Sequence, residues 1–253
     1  MAFIDLNYTL NFWKKLLGLG KKSVKEVSAP PPLPPRPGET PGPEPKPENQ
    51  TPASTWIEFD PGHVITDEEF TDSNSMSAEE IEAFLIRKGG VILAGTEIDG
   101  HLVSYWLSKH CQDLGLNPKI LLTHLQKEMG AVTRTTPYKK QHSYDYIMGV
   151  GAFDGKWSEK WKGIDKQILG AATTCMKWYN KGKENNKYPM NHKVGDNKEL
   201  IIKNSATYSL YKYTPWVGNE DKKIPTNKSF HVYRAPFGNF LFWKVYRGFF
   251  GKK

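Results

Sequence analysis

Residues Asn117 to Gly130, NPKILLTHLQKEMG, set the reading of the whole chain. Asn117 is a favourable N-cap, Pro118 suits the first helical position, and Gly130 is the residue type that ends a helix in the left-handed region. The spacing therefore predicts one short, self-delimited helix. Within it Leu121, Leu125 and Glu128 follow i, i+4, i+7, so a carboxylate shares a stripe with two leucines that face a core. Partial burial and the carbonyl end of the helix both disfavour the anion, and a proton retained near neutral pH is what a general acid needs. The plainer alternative is a snorkelling Glu128 whose head reaches water at the helix end.

Outward from this helix, further helical segments follow. Ser77 with Glu80 forms a capping box ahead of Ile81, Phe84 and Leu85, and Gly89-Gly90 ends that segment. Val103, Leu107, His110 and Leu114 keep a 4, 3, 4 spacing up to Gly115, with His110 read as a half-buried polar residue. A longer helix is predicted from about Gly163 to Lys181, with Ile164, Ile168, Ala172, Cys175 and Tyr179 on one face, and a closing helix carries Leu241, Val245 and Phe249. The expected fold is mainly α, a single α-rich domain with long loops.

Residues 56–253, a normal single-domain size, make up this globular part. They follow a different kind of sequence. Residues 28–55, with the interior APPPLPPRPGETPGPEPKPENQTPA, favour extended polyproline II and cannot bury a core, so they read as a spacer. Residues 1–27 begin MAFIDLNYTLNFWKKLLGLG, where Leu6, Leu10, Trp13 and Leu17 make an amphipathic segment. Asp5 and Lys14-Lys15 interrupt the apolar run, which excludes a membrane span and a secretory signal. What remains is an anchor that docks on a partner protein or lies on a membrane surface. A short helix folded back on the domain is the alternative.

The formal net charge is +8, which favours anionic partners: nucleic acid, a lipid surface or the anionic polymers of a bacterial wall. The lysines are scattered through loops without interleaved stacking aromatics, so no nucleic acid is expected as partner. The two cysteines, Cys111 and Cys175, lie on apolar stripes and read first as buried free thiols, with one disulfide also open. No CxxC or HExxH arrangement occurs, and neither a metal nor a cofactor is called for.

The runs MSAEEIEAFLIRKGG, LNPKILLTHLQKEMGAVT, YDYIMGVGAFDG, ATYSLYKYTPWVG and GNFLFWKVYRGFFG, in that order, resemble lysozyme-like wall-lytic proteins of bacteria and phages, among them lytic transglycosylases and glucosaminidases. LQKEMG and YKYTPWV carry most of the likeness, which spans most of residues 76–251. The resemblance implies a lysozyme-like fold in which Glu128 is the catalytic acid and a Gly-rich turn, Met148 to Gly151, lines the sugar site. It also implies a late tyrosine touching the acid, Tyr213 first and Tyr211 second, and peptidoglycan as substrate. Many transglycosylases place Ser after the acid and Gln in the turn; this chain has Met129 and no Gln there.

Cleavage of a β-1,4 bond between amino sugars needs a proton donor and stabilisation of an oxocarbenium-like centre. Asp145 and Asp154 flank the turn as candidate second carboxylates or as loop-stabilising residues, and Asp154 is also a candidate substrate contact. If neither serves, Glu128 alone acts as acid and then base, and the muramic acid 6-hydroxyl is the nucleophile. Met148, Gly149 and Gly151 complete the expected substrate-binding set, the glycines because they admit close approach to backbone. A phage virion is the favoured location, with a bacterial envelope as alternative. Two other functions stay open: a non-catalytic attachment protein that binds wall glycan, and a basic nucleic-acid-binding protein.

Overall fold

The computed structural model describes residues 58–153, 156–185, 187–195, 199–225 and 230–251. The expected anchor (1–27), the spacer (28–55) and Asp154 lie outside the described residues. The domain is mainly helical: among the described residues there are eight α-helices and four two-stranded antiparallel hairpins. None of these helices is long and apolar enough to cross a membrane.

Local rules place most helix ends. Helix α1, Asp67–Thr71, opens with a capping box between Thr66 and Glu69. Helix α2, Ala78–Lys88, opens with the box of Ser77 and Glu80 and ends at left-handed Gly89. Helix α3, Val103–Leu114, stops at left-handed Gly115, and α4, Pro118–Met129, runs between the Asn117 cap and left-handed Gly130. After the short α5, Gln141–Asp145, comes the longest helix, α6, Ile164–Asn185. Asn204 caps α7, Ser205–Tyr213, and α8 spans Gly238–Phe250. The hairpins β1–β2 (Glu97–Ile98, His101–Leu102), β3–β4 (Ala152–Phe153, Lys156–Trp157), β5–β6 (Met190–Lys193, Glu199–Ile202) and β7–β8 (Lys222–Pro225, Phe230–Tyr233) all lie within the connections.

Helix α6 packs against α7 and α3, and α4 packs against α8, so one continuous core joins them. Leu121 and Leu125 of α4 are fully buried, as their stripe predicts, but burial does not stop at that stripe. Nine of the twelve residues of α4 are buried, including Thr123, His124 and Lys127, so it is a core helix with hardly any wet face. The two cysteines are free and buried, Cys111 on α3 and Cys175 on α6. On α8 the buried side is Asn239, Phe242 and Tyr246, whereas Leu241, Val245 and Phe249 are only half-buried. That helix is apolar almost all round, so the packing of Phe242 on His124 of α4, and not periodicity, sets its inward side.

The first and last parts of the domain are tied directly. Val64 N donates to Thr207 Oγ1 at 2.9 Å, Asn204 Nδ2 donates to Ile65 O at 2.7 Å, and Arg247 donates to both carboxylate oxygens of Glu69. Asn117 is a second tie. Its Oδ1 accepts from Lys119 N (2.9 Å) and Ser75 Oγ (2.6 Å), while its Nδ2 donates to Glu69 O (2.7 Å). One buried amide thus caps α4 and holds α1 on it. Asn117→Ala is expected to cost about 2–3 kcal/mol in urea unfolding, because it removes the cap and leaves the Glu69 carbonyl without its donor.

Candidate active site

Glu128 lies in the last turn of α4 with its side chain 15% exposed, and Lys127 beside it is more deeply buried, at 5%. The Lys127 ammonium is 2.8 Å from Glu128 Oε1 and donates to Thr214 Oγ1 at 2.6 Å. The ammonium is a partner the spacing did not predict.

Thr214 directly follows α7 and is held by α8, since Asn239 Nδ2 donates to the Thr214 carbonyl at 2.8 Å. Tyr213 precedes it. Its ring centroid stands 4.2 Å from that of His124, and its hydroxyl donates to the Met148 carbonyl at 3.2 Å. Burial first, then the negative charge of Glu128, pushes the Tyr213 phenol well above its ordinary value, so it stays a neutral donor. Glu128, Lys127, Thr214, Tyr213 and Met148 therefore form one connected group built by α4, the end of α7 and the Gly-rich turn.

The turn is organised by a residue from another helix. Gln167, fully buried on α6, accepts from Met148 N (3.2 Å) and Val150 N (3.0 Å) and donates to the carbonyls of Val150 (2.9 Å) and Trp161 (2.6 Å). The two glycines beside these groups differ. Both have positive φ, but a Cβ on Gly151 would stand 2.8 Å from Trp161 Cδ1, whereas one on Gly149 would meet nothing within 4 Å. Gly151 is demanded by packing under Trp161, whereas the space beside Gly149 is open.

The remaining candidates fall elsewhere. Tyr211 is buried on α7 two residues from Tyr213, which turns it to a different face, and it feels Asp60 where Tyr213 feels Glu128. Met148 is buried, and its contribution to the group is its backbone carbonyl. Asp145 accepts from Gln141 Nε2 at 3.1 Å, and its carbonyl accepts from Gly163 N, which joins the end of α5 to the start of α6. Among the described residues no group of three or more His, Cys, Asp or Glu is placed to hold a metal.

Lys127, Gln167, His124 and Asn239 escaped the reading of the sequence. One signal was available for α4: Ile120, Leu121 and Leu122 in succession cover more of the wheel than an amphipathic stripe does. No family model, curated protein or solved structure matches the chain.

His124 sits beneath this group, fully buried between Tyr213 and Phe242, with neither ring nitrogen hydrogen-bonded among the described residues. Burial first, then the Lys127 charge, holds its pKa well below the ordinary 6.5, so it is neutral in the folded chain. An unfolded chain takes up that proton as pH falls through about 6.5, and the folded chain does not, so acid destabilises. Stability is expected to fall by up to about 1.4 kcal/mol per pH unit from this residue between pH 6.5 and 5, with a weaker contribution from half-buried His192. Denaturant unfolding of His124→Leu, set against the unmutated chain across that range, should give a visibly flatter dependence.

Proposed function

We propose that the protein is a lysozyme-like enzyme that cleaves the glycan strands of peptidoglycan, with Glu128 as acid and base. The observation that carries this reading is the largely buried carboxylate of Glu128, linked through Lys127 and Thr214 to the tyrosine that holds the Gly-rich turn. These are the three parts that the resemblance assigns to the sugar site. Scission starts with proton delivery from Glu128 to the leaving oxygen of the β-1,4 bond, as the C1–O bond breaks and positive charge develops at C1. Lys127 stabilises the carboxylate that remains.

The N-acetyl group of the substrate assists at C1. Glu128 then takes the proton of the incoming hydroxyl, from water in hydrolysis or from the muramic acid 6-hydroxyl in anhydro-forming lysis, as the new C1–O bond forms. With Asp145 engaged by Gln141, a single acid/base suits the second route. Gly149 lines the sugar site, and Tyr213 fixes the turn through the Met148 carbonyl. The chain acts on the wall from a phage particle or a bacterial envelope, tethered by its N-terminal segment. A second reading, an attachment protein that binds wall glycan without cutting it, draws on the Lys127–Glu128 ion pair, whose charged groups can hydrogen-bond sugar hydroxyls.

Glu128→Gln tests the assignment. Lytic activity on purified peptidoglycan should fall about 10²–10⁴-fold. The same change takes the anion from a buried ammonium and should cost on the order of 1–3 kcal/mol, so assays belong well below the melting temperature, with folding checked by circular dichroism. Retention of near-normal activity by the folded variant sinks the role of Glu128. A wild-type protein that sediments with peptidoglycan yet clears none of it on zymography selects the attachment reading. Mass spectrometry of released muropeptides separates anhydro from reducing ends.

A further inference from the structure

Three lysines converge on one indole far along α6 from the Gly-rich turn. Lys177, Lys181 and Lys212 place their ammonium nitrogens 5.5, 5.3 and 5.4 Å from the centre of the Trp178 ring, and Lys212 also stands 5.1 Å from that of Tyr208. Lys177 and Lys181 are one helical turn apart on α6 and exposed; Lys212 reaches over from α7 and is half-buried. None of the three makes an ion pair with a carboxylate among the described residues, in contrast to Lys109, Lys127, Lys162 and Lys203. His192 on β5 packs edge-on against Tyr208 and borders the same patch.

Assembling like charges in this way is unfavourable. Burial first, and then the charge of Lys181, holds the Lys212 pKa below the ordinary lysine value, and burial with Lys212 lowers that of His192 to about 4. A solvated lysine face would spread these ammoniums apart. Here the Trp178 ring gathers them, which leaves a concentrated positive site with no ion-paired carboxylate among the described residues. The two α6 lysines lie side by side along the helix axis, with Lys212 flanking them, which suits successive charges of a chain better than one small anion.

We propose that Lys177, Lys181 and Lys212 around Trp178 form a binding site for a linear phosphodiester polymer of the polyol phosphate kind, as found on bacterial surfaces. A nucleic acid fits less well: base stacking needs an open aromatic face, and here ammoniums stand over Trp178 while Tyr208 is buried. The site shares no residue with the Glu128 group and does not depend on that group being catalytic.

The test is binding of the full-length chain to poly(glycerol phosphate) over a range of salt. The triple variant Lys177→Gln, Lys181→Gln, Lys212→Gln is compared with an equal-charge control, Lys139→Gln, Lys140→Gln, Lys244→Gln, both checked for folding by thermal melting. Affinity should drop at least ~10-fold in the first, with the log–log salt slope shallower by roughly 2, and change less than ~3-fold in the control. Equal losses in the two variants would reduce the effect to net charge and overturn the site. Tighter binding of single-stranded DNA that the first triple abolishes would assign it to nucleic acid instead. Inorganic phosphate that competes as well as the polymer at equal phosphate concentration would make it a single-anion site, which also overturns the proposal.

Discussion

The burial of α4 on nearly every side is the constraint from which the other features follow. A helix with one apolar stripe keeps its polar residues in water; this one carries Thr123, His124 and Lys127 into the interior. Each then has to be accommodated. Thr123 returns its hydroxyl to the Lys119 carbonyl at 2.7 Å, and Lys127 finds Glu128 and Thr214. His124 finds only rings and remains neutral. A charge in a low-dielectric setting is tolerated when it is paired and hydrogen-bonded, so the lysine fixes the place of the carboxylate as much as the carboxylate satisfies the lysine.

The same demand shapes the elements that pack on α4. The segment after α7 has to present Thr214 to the ammonium, and Asn239 of α8 holds that segment by its carbonyl. Gly238, at the start of α8, permits the approach: a Cβ there would lie 2.4 Å from the Trp216 carbonyl. Gln167 stiffens the Gly-rich turn through three hydrogen bonds and ties it to Trp161 by a fourth, so Tyr213 meets a fixed carbonyl at Met148. Polar satisfaction in the core and the geometry of the candidate site are thus one arrangement.

Much of this was legible in the sequence where a local rule governs. Caps and left-handed glycines delimit α2 and α4, and a left-handed glycine ends α3, as the residues predict, because those signals act within a few positions. The short α1 has an equally good box, Thr66 with Glu69, but no apolar run behind it to draw attention. On α8 periodicity pointed to Leu241, Val245 and Phe249, while the buried face is Asn239, Phe242 and Tyr246: with aromatics on all sides, only the partner helix decides what faces in. Glu128 and Tyr213 could be singled out, but the Tyr213 hydroxyl goes to the Met148 carbonyl and the Glu128 charge acts on it only electrostatically. Lys127, Thr214 and Gln167 could not be assigned partners, since those partners lie 87 residues away for Lys127 and up to 19 for Gln167.

The ties between Val64 and Thr207, between Asn204 and Ile65, and between Glu69 and Arg247 join residues 143, 139 and 178 positions apart. The domain closes on itself like a clasp, with its first helix resting on its last two. Such closure makes the last folding step wait for the final helices: during synthesis α2 can already pack on α3, but the ties of α1 to α7 and α8 form only after those two helices have left the ribosome. Deleting the final helix would therefore expose the beginning of the domain as much as its end.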